Sequence, residues 1–316
     1  MNKRLLGNTG IEVSELAFGG VEIGMPYGIG VHSQADMLTE AGAVHLLHTA
    51  LEEGINFIDT ARQYGNSEAI IGKAFAGNRS AVVIATKCKH LRRADKSIPD
   101  DLPALINESL QESLSALQTD YADVFMLHDS DPEIVAHPDV LETFASLKQR
   151  GIIRSSGVST YTPAETKAAI ESGIWDVIQV PFNLLDQRQE ALFSLAKEKG
   201  VGIVIRSVLL KGLLSTRGRG LHTALQPVEE RIQRFGELAQ ELEMELPQLA
   251  TRFALSFKEV SSILVGLDKM EYLEQSLQAV EGELLSPSAM QQAKALAYPE
   301  PDFLNLHQWH VNGWLK

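Results

Sequence analysis

Four ionisable side chains stand out by where they fall. The segment "NFIDTARQYGNSE" (56–68) carries an apolar run that ends on Asp59, and Tyr64 follows directly before a glycine. Two further apolar runs, "AVVIATK" (81–87) and "YADVFMLH" (121–128), end on Lys87 and His128. Taken singly, each has an ordinary reading. A strand-end aspartate forms turns, a tyrosine edges a core with its hydroxyl in water, and a histidine after apolar residues is a satisfied core group. Together, at the ends of consecutive runs, they suit proton transfer to an oxygen. A free phenol titrates near ~10, too high to exchange protons readily at neutral pH. A nearby lysine ammonium favours the phenolate and lowers that value, and a carboxylate lets a buried lysine keep its charge. The expectation is that Asp59 supports Lys87, Lys87 acidifies Tyr64, and Tyr64 protonates the alkoxide formed from a carbonyl. His128 then orients the substrate oxygen or relays the proton.

These residues need a frame that brings run ends together. Short β-rich runs cover 13–20, 56–61, 81–87, 121–128, 152–160, 176–183, 202–208 and 261–266. Many are continuously apolar, as strands covered on both faces are. Amphipathic stretches separate them. "AVHLLHTALEEG" has Val44, Leu46, Leu47 and Leu51 and stops at Gly54, and "VLETFASLKQRG" stops at Gly151. Glycine just past a helix is an expected stop. The alternation predicts an α/β chain closing as a (β/α)8 TIM barrel, one domain over 1–316, with a doubly wound open sheet as the alternative. Its site would lie at the C-terminal ends of the strands. Residues 1–12 predict an N-terminal β-hairpin with an Asn-Thr-Gly turn, and 21–40 a long polar loop. The C-terminal tail from Tyr298, with Phe303, Trp309 and Trp314, is expected to pack over the barrel mouth, since disordered tails lack such aromatics.

The bulk numbers narrow the class. The 316 residues hold 41 acidic and 28 basic side chains, a net charge of −13, and 44% are hydrophobic. Such a chain repels phosphate backbones, which argues against a nucleic-acid partner and for solubility. The single cysteine, Cys88, excludes an intrachain disulfide. "MNKRLLGNTG" lacks a signal-peptide apolar stretch, and no apolar run approaches the ~18–20 residues of a membrane span. The expectation is a cytoplasmic protein with no membrane partner. "SEAIIGKA" lacks the first glycine and the Ser/Thr of a phosphate loop, and "HDSD" has no second histidine at ligand spacing, so no metal is expected.

The chain also resembles the aldo-keto reductase family. The matching pieces are "LGNTGIEVSELAFGG" (6–20), "NFIDTARQYGNSE", "IATK" (84–87), "DVFMLH" (123–128), "GVS" (157–159), "QVPFNLLD" (179–186) and "GLLS" (212–215), in family order. The resemblance implies a (β/α)8 barrel binding NAD(P)(H) across its mouth, and the tetrad Asp59, Tyr64, Lys87 and His128, with Tyr64 as proton donor to a carbonyl, alcohol or sugar substrate. It implies that Ser159, Thr160 and Gln179 hold the nicotinamide carboxamide. Thr160 stands where many members have asparagine, and Arg206 where many stack a tyrosine on the ring; a guanidinium plane also stacks. The segment 207–217, with Ser207, Leu209, Lys211, Gly212, Leu213 and Arg217, would wrap the pyrophosphate, using backbone N–H groups of Gly212 and Leu213. Lys211 and Arg217 read equally well as solvated surface charge. At the adenosine end come Gly266, Asp268, Tyr272, Gln275 and Ser276. Asp268 suits a ribose 2′-hydroxyl and repels a 2′-phosphate, an argument for NAD that the adjacent Lys269 opposes. The substrate pocket would draw on Met25, Tyr27, His90, Asp129 and Trp309, with Trp314, His32, His307 and His310 as further candidates. Two other readings stay open: a Schiff-base aldolase using Lys87, and a cofactor-binding subunit with negligible turnover. Substrate, reaction direction and any homo-oligomer are left open.

Overall fold

The structure is a computed structural model that describes residues 1–93, 95–128 and 131–315. Two short strands, β1 (Lys3–Leu5) and β2 (Glu12–Ser14), pair antiparallel as a hairpin. Eight parallel strands follow and close into a barrel. They are β3 (Leu16–Gly19), β4 (Phe57–Asp59), β5 (Val83–Lys87), β6 (Ala122–Leu127), β7 (Ile153–Ser159), β8 (Val177–Pro181), β9 (Gly202–Arg206) and β10 (Val260–Gly266). β10 pairs with β3 and completes the ring. The fold is therefore the (β/α)8 barrel that the alternation predicts. One boundary differs. The run 13–20 is split, because Val13 and Ser14 belong to the hairpin and the Ser14 hydroxyl donates to the carbonyl of Leu16 across the bend.

Helices cover the outside, started by side chains that accept otherwise unpaired N–H groups. Asp101 caps Leu102–Leu117, and Thr162 forms a capping box with Glu165 at Pro163–Ser172. Inside the barrel, Ala17, Phe57, Val83, Ala85, Val124, Met126, Val177, Val204 and Leu264 form one apolar cluster with Leu6, Ile11 and Val13 of the hairpin segment, which plugs the bottom. Leu16, Phe18, Ile58, Ile84 and Phe125 belong instead to the cluster between strands and helices. This is the period of two in a strand: alternate residues face the barrel interior. Continued one step upward, the same parity fixes what crowns the interior. The positions are Gly19, Asp59, Lys87, His128, Ser159, Gln179, Arg206 and Gly266.

The tail carries a short helix, Leu306–Val311, whose Trp309 is 1% exposed and packs on Phe303 at a centroid distance of 5.6 Å. Tyr298 N–H donates to Leu185 O, Arg188 pairs with Asp302, and Trp314 stacks on His222. The tail is thus seated on the loops that follow β8 and β9. Among the described residues no helix is long and apolar enough to cross a membrane.

Candidate active site

A cavity of about 1190 Å³ opens at the C-terminal ends of the strands. Asp59, Tyr64, His128, Ser159, Gln179 and Arg206 line one end of it. Lys87 lies just behind, fully enclosed, and donates to Asp59 Oδ1 at 2.7 Å, Asp59 Oδ2 at 2.6 Å and Thr60 O at 3.0 Å. Asp59 also accepts from Gln179 Nε2 at 2.7 Å. The Lys87 ammonium is 5.0 Å from the centre of the Tyr64 ring, and the Tyr64 and His128 rings meet edge to face at 5.5 Å. The structure therefore brings the four sequence-predicted groups to one place.

Tyr64 is not on a strand, so its position depends on the turn 60–67. Tyr64 N–H donates to Ala61 O, and Ser67 N–H to Tyr64 O, both at 3.0 Å. Thr60 Oγ donates to Ser67 Oγ at 2.8 Å. Behind the turn, the buried Glu68 accepts from Thr86 Oγ at 2.6 Å and pairs with Arg62. The short helix Val21–Gly24 closes the other side, where Gly24 O accepts from Asn66 N–H at 3.1 Å. The fit is tight: a β-carbon on Gly24 would stand 1.9 Å from Tyr64 O.

The electrostatics differ from the expectation in sign. Burial pushes the Tyr64 phenol above tyrosine's ordinary value, and the Asp59 carboxylate adds to the rise. Burial likewise pulls the Lys87 ammonium down, with Asp59 opposing. The ammonium is committed to Asp59 and Thr60, and burial outweighs any lowering it exerts on the phenol. Tyr64 is held as the neutral, proton-bearing form.

From this end the cavity runs outward. Ser207, Leu209, Lys211, Gly212 and Arg217 line it, then Gly266, Asp268, Tyr272, Gln275 and Ser276. The helices Gln226–Glu241 and Leu246–Leu255 close its far end with Gln233, Gln240 and Thr251. The segment after β9 takes positive φ at Ser207, Leu210 and Lys211 as well as Gly212, strain of the kind that clusters at functional sites. It is tied to the loop after β3: Ile29 N–H donates to Lys211 O at 3.2 Å, Arg217 Nη1 donates to Ile29 O at 3.1 Å, and the Lys211 ammonium lies over Tyr27. Arg217 Nη2 also reaches Tyr272 Oη at 2.9 Å.

Several expected contacts fall elsewhere. The Thr160 hydroxyl turns away to bond Thr166 at 2.7 Å. Leu213 is fully buried, and the N–H groups of Gly212 and Leu213 donate to Leu209 O and Leu210 O, so the tight turn has used them. Tyr27 lines the cavity, whereas Met25, His90 and Trp309 do not; His90 is exposed and stacks on His128 at 5.2 Å, and Trp309 is enclosed within the tail. His32, His307 and His310 are exposed. Asp129 lies outside the described residues.

Two groups that sequence reasoning missed are present. Tyr161 lines the cavity under the Arg206 guanidinium at 4.5 Å, while Arg206 Nη2 donates to Thr160 O. Its signal was adjacency to "GVST". Glu22 lines the cavity with its Oε2 sealed from solvent and no hydrogen-bond partner, and burial pushes its carboxyl up to about 8. Its signal was its place two residues beyond the Gly19-Gly20 pair.

The comparisons with known proteins agree with this geometry. The model of the Aldo/keto reductase family matches residues 15–297. The chain is 28% identical to "Uncharacterized oxidoreductase YqkF" of Bacillus subtilis (strain 168), over 98% of this chain and 100% of that protein. It is 30% identical to L-galactose dehydrogenase of Arabidopsis thaliana, over 88% of this chain and 87% of that protein. Among solved structures, the aldo-keto reductase AKR11C1 from Bacillus halodurans (holo form) superposes with a TM-score of 0.79 at 30% identity, covering 94% of this chain and 96% of that one.

Proposed function

The chain belongs to the aldo/keto reductase family, and from that premise we propose that it interconverts a carbonyl and an alcohol with Tyr64 as proton donor. The family's oxidoreductase chemistry uses NAD(P)(H), and the cavity suits such a ligand. Its about 1190 Å³ exceeds the ~300–1,000 Å³ of ordinary small-molecule pockets, as an extended dinucleotide requires. Polar groups line both ends. When bound, the nicotinamide ring supplies or accepts the hydride.

The remaining work belongs to the protein's own side chains. Tyr64, kept protonated by burial, donates its proton to the carbonyl oxygen as negative charge develops there. His128, edge-on to Tyr64, holds that oxygen within reach. Asp59 and Lys87 fix each other and bound the site from below. Gln179 is anchored through its Nε2 to Asp59, which leaves its carbonyl oxygen to accept from a carboxamide beside Ser159. Arg206, braced on Thr160 O and Tyr161, provides a flat cationic surface for the ring. Asp268 accepts from a ribose hydroxyl and disfavours a 2′-phosphate, so NAD is the proposed cofactor.

The observation that carries this reading is the convergence of Asp59, Tyr64 and His128 on one cavity with Lys87 bonded behind Asp59. The aldolase alternative is weakened by the same fact, because a Schiff-base lysine must reach substrate and Lys87 is 0% exposed with its ammonium fully engaged. The relation to an L-galactose dehydrogenase over 88% of this chain supports sugars as the first substrates to try. Aldehydes, ketones and sugars scanned with NADH, NADPH and their oxidised forms by nicotinamide absorbance test the proposal. Turnover with at least one carbonyl or sugar is expected. No turnover together with borohydride trapping of a substrate on Lys87 would replace it with the aldolase reading.

A further inference from the structure

The crown of inward-facing positions has glycine on two neighbouring strands, Gly19 and Gly266, which are register partners. The gap they leave is filled from outside the crown. Glu22 reaches in from the helix Val21–Gly24, and a β-carbon on Gly266 would stand 2.1 Å from its Oε1 and 2.8 Å from its Cδ. An apolar side chain on β10 in place of Gly266 would close such a gap without leaving a polar atom unpaired. Instead the cavity wall holds a carboxyl whose Oε2 is sealed and unpartnered, an arrangement that costs an ionised carboxylate far more than the neutral acid.

The charges around Glu22 locate it along the cavity. Asp59 faces it from the Tyr64 end, Asp268 from the Tyr272 end, and Lys211 from the segment after β9, with the phenols of Tyr27 and Tyr64 also in range. A ligand stretched from the tetrad to the helix Met270–Glu281 must pass it midway, where a dinucleotide carries its diphosphate and ribose oxygens. An ionised Glu22 would add a third carboxylate beside Asp59 and Asp268 against that anion. A protonated Glu22 is a donor to it.

Resting on the function proposed above, we propose that Glu22 is a further cofactor contact that donates a proton-borne hydrogen bond to the middle of the dinucleotide, so that binding requires the neutral acid. The carboxyl is in that form at neutral pH, since burial, helped by Asp268 and Asp59 and opposed by its own backbone amide and Lys211, raises it to about 8. Only the protonated fraction then binds, and the apparent Kd for NADH rises about tenfold between about pH 7 and about pH 9.

The test is a fluorescence titration of NADH and NADPH against pH on wild type and Glu22→Gln, paired with calorimetry in buffers of different ionisation enthalpy. Wild type should take up about one proton per dinucleotide near the top of the range, as linkage demands. Glu22→Gln, a neutral donor of similar shape, should flatten the profile and abolish the uptake. A wild-type Kd that does not change with pH, or uptake of no proton, overturns the inference and needs no variant. An unaltered slope in Glu22→Gln also overturns it and assigns the effect to Lys211, which burial pulls down. Dinucleotide that binds without pH dependence defeats this inference alone, whereas dinucleotide that binds at no pH defeats the proposed function with it.

Discussion

At the residue scale, the decisive effect on Tyr64 is burial. The sequence allowed Asp59, Tyr64, Lys87 and His128 to be picked out because three of them end apolar runs, where a charge has no packing role. It did not give the sign of the tyrosine's shift. That depends on how deeply the ring is sunk and where the lysine's charge is spent, and both are tertiary facts. A phenol raised above 10.0 stays protonated through the ordinary range. Carbonyl reduction at saturating cofactor should therefore show no loss of kcat from tyrosine ionisation, while alcohol oxidation, which needs the phenolate, should still be rising at pH 10.0. A plateau in oxidation well below that value would show that the ammonium does acidify the ring. Asp268 gives a second test. It lines the cavity beside Tyr272, and Asp268→Ala should shift the ratio of kcat/KM for NADP over NAD upward by about tenfold, the loss of one like-charge repulsion of ~1.4 kcal/mol. An unchanged ratio removes the argument for NAD.

At the element scale, what positions the chemistry is the parity of short strands together with one helical turn. Phe57 faces inward, so Asp59 does; Val83 and Ala85 face inward, so Lys87 does. Run ends in the sequence carried this information for the side chains. For Gly19 and Gly266 they carried none, so the space that Glu22 fills was not legible. The split of 13–20 into β2 and β3 was hidden for a similar reason, since Val13 is as apolar inside the barrel plug as it would be in a barrel strand. The turn holding Tyr64 rests on the helix Val21–Gly24, where backbone meets backbone without room for a methyl group. Gly24→Ala must push that turn away, at a cost of about 1–3 kcal/mol in unfolding experiments. Its kcat should fall much more than cofactor affinity does. Wild-type kcat in Gly24→Ala would mean the turn is free to shift without moving the phenol.

At the scale of the whole molecule, the barrel order follows from βα alternation, and the closed ring explains why groups distant in the chain share one mouth. The bottom is sealed by the hairpin segment through Leu6, Ile11 and Val13, which leaves the top as the open end. The C-terminal tail was legible as ordered from its aromatics, but not as separate from the cavity: Trp309 is consumed by packing on Phe303, and Tyr298 and Asp302 fasten the tail to the loop after β8. Apolar character alone does not distinguish a substrate wall from a peg. The cavity's far wall, built from Gln233, Gln240 and Thr251, was equally invisible, because helix faces that line a ligand look like any polar surface in sequence. Through all of this runs one claim, that a neutral Tyr64 delivers the proton at the inner end of a dinucleotide cavity. Tyr64→Phe tests it most directly, with dinucleotide affinity and kcat measured on the same preparation. The account predicts a Kd within about twofold of wild type and a kcat lower by about 10²–10⁴-fold. A mutant that keeps most of its kcat would contradict it.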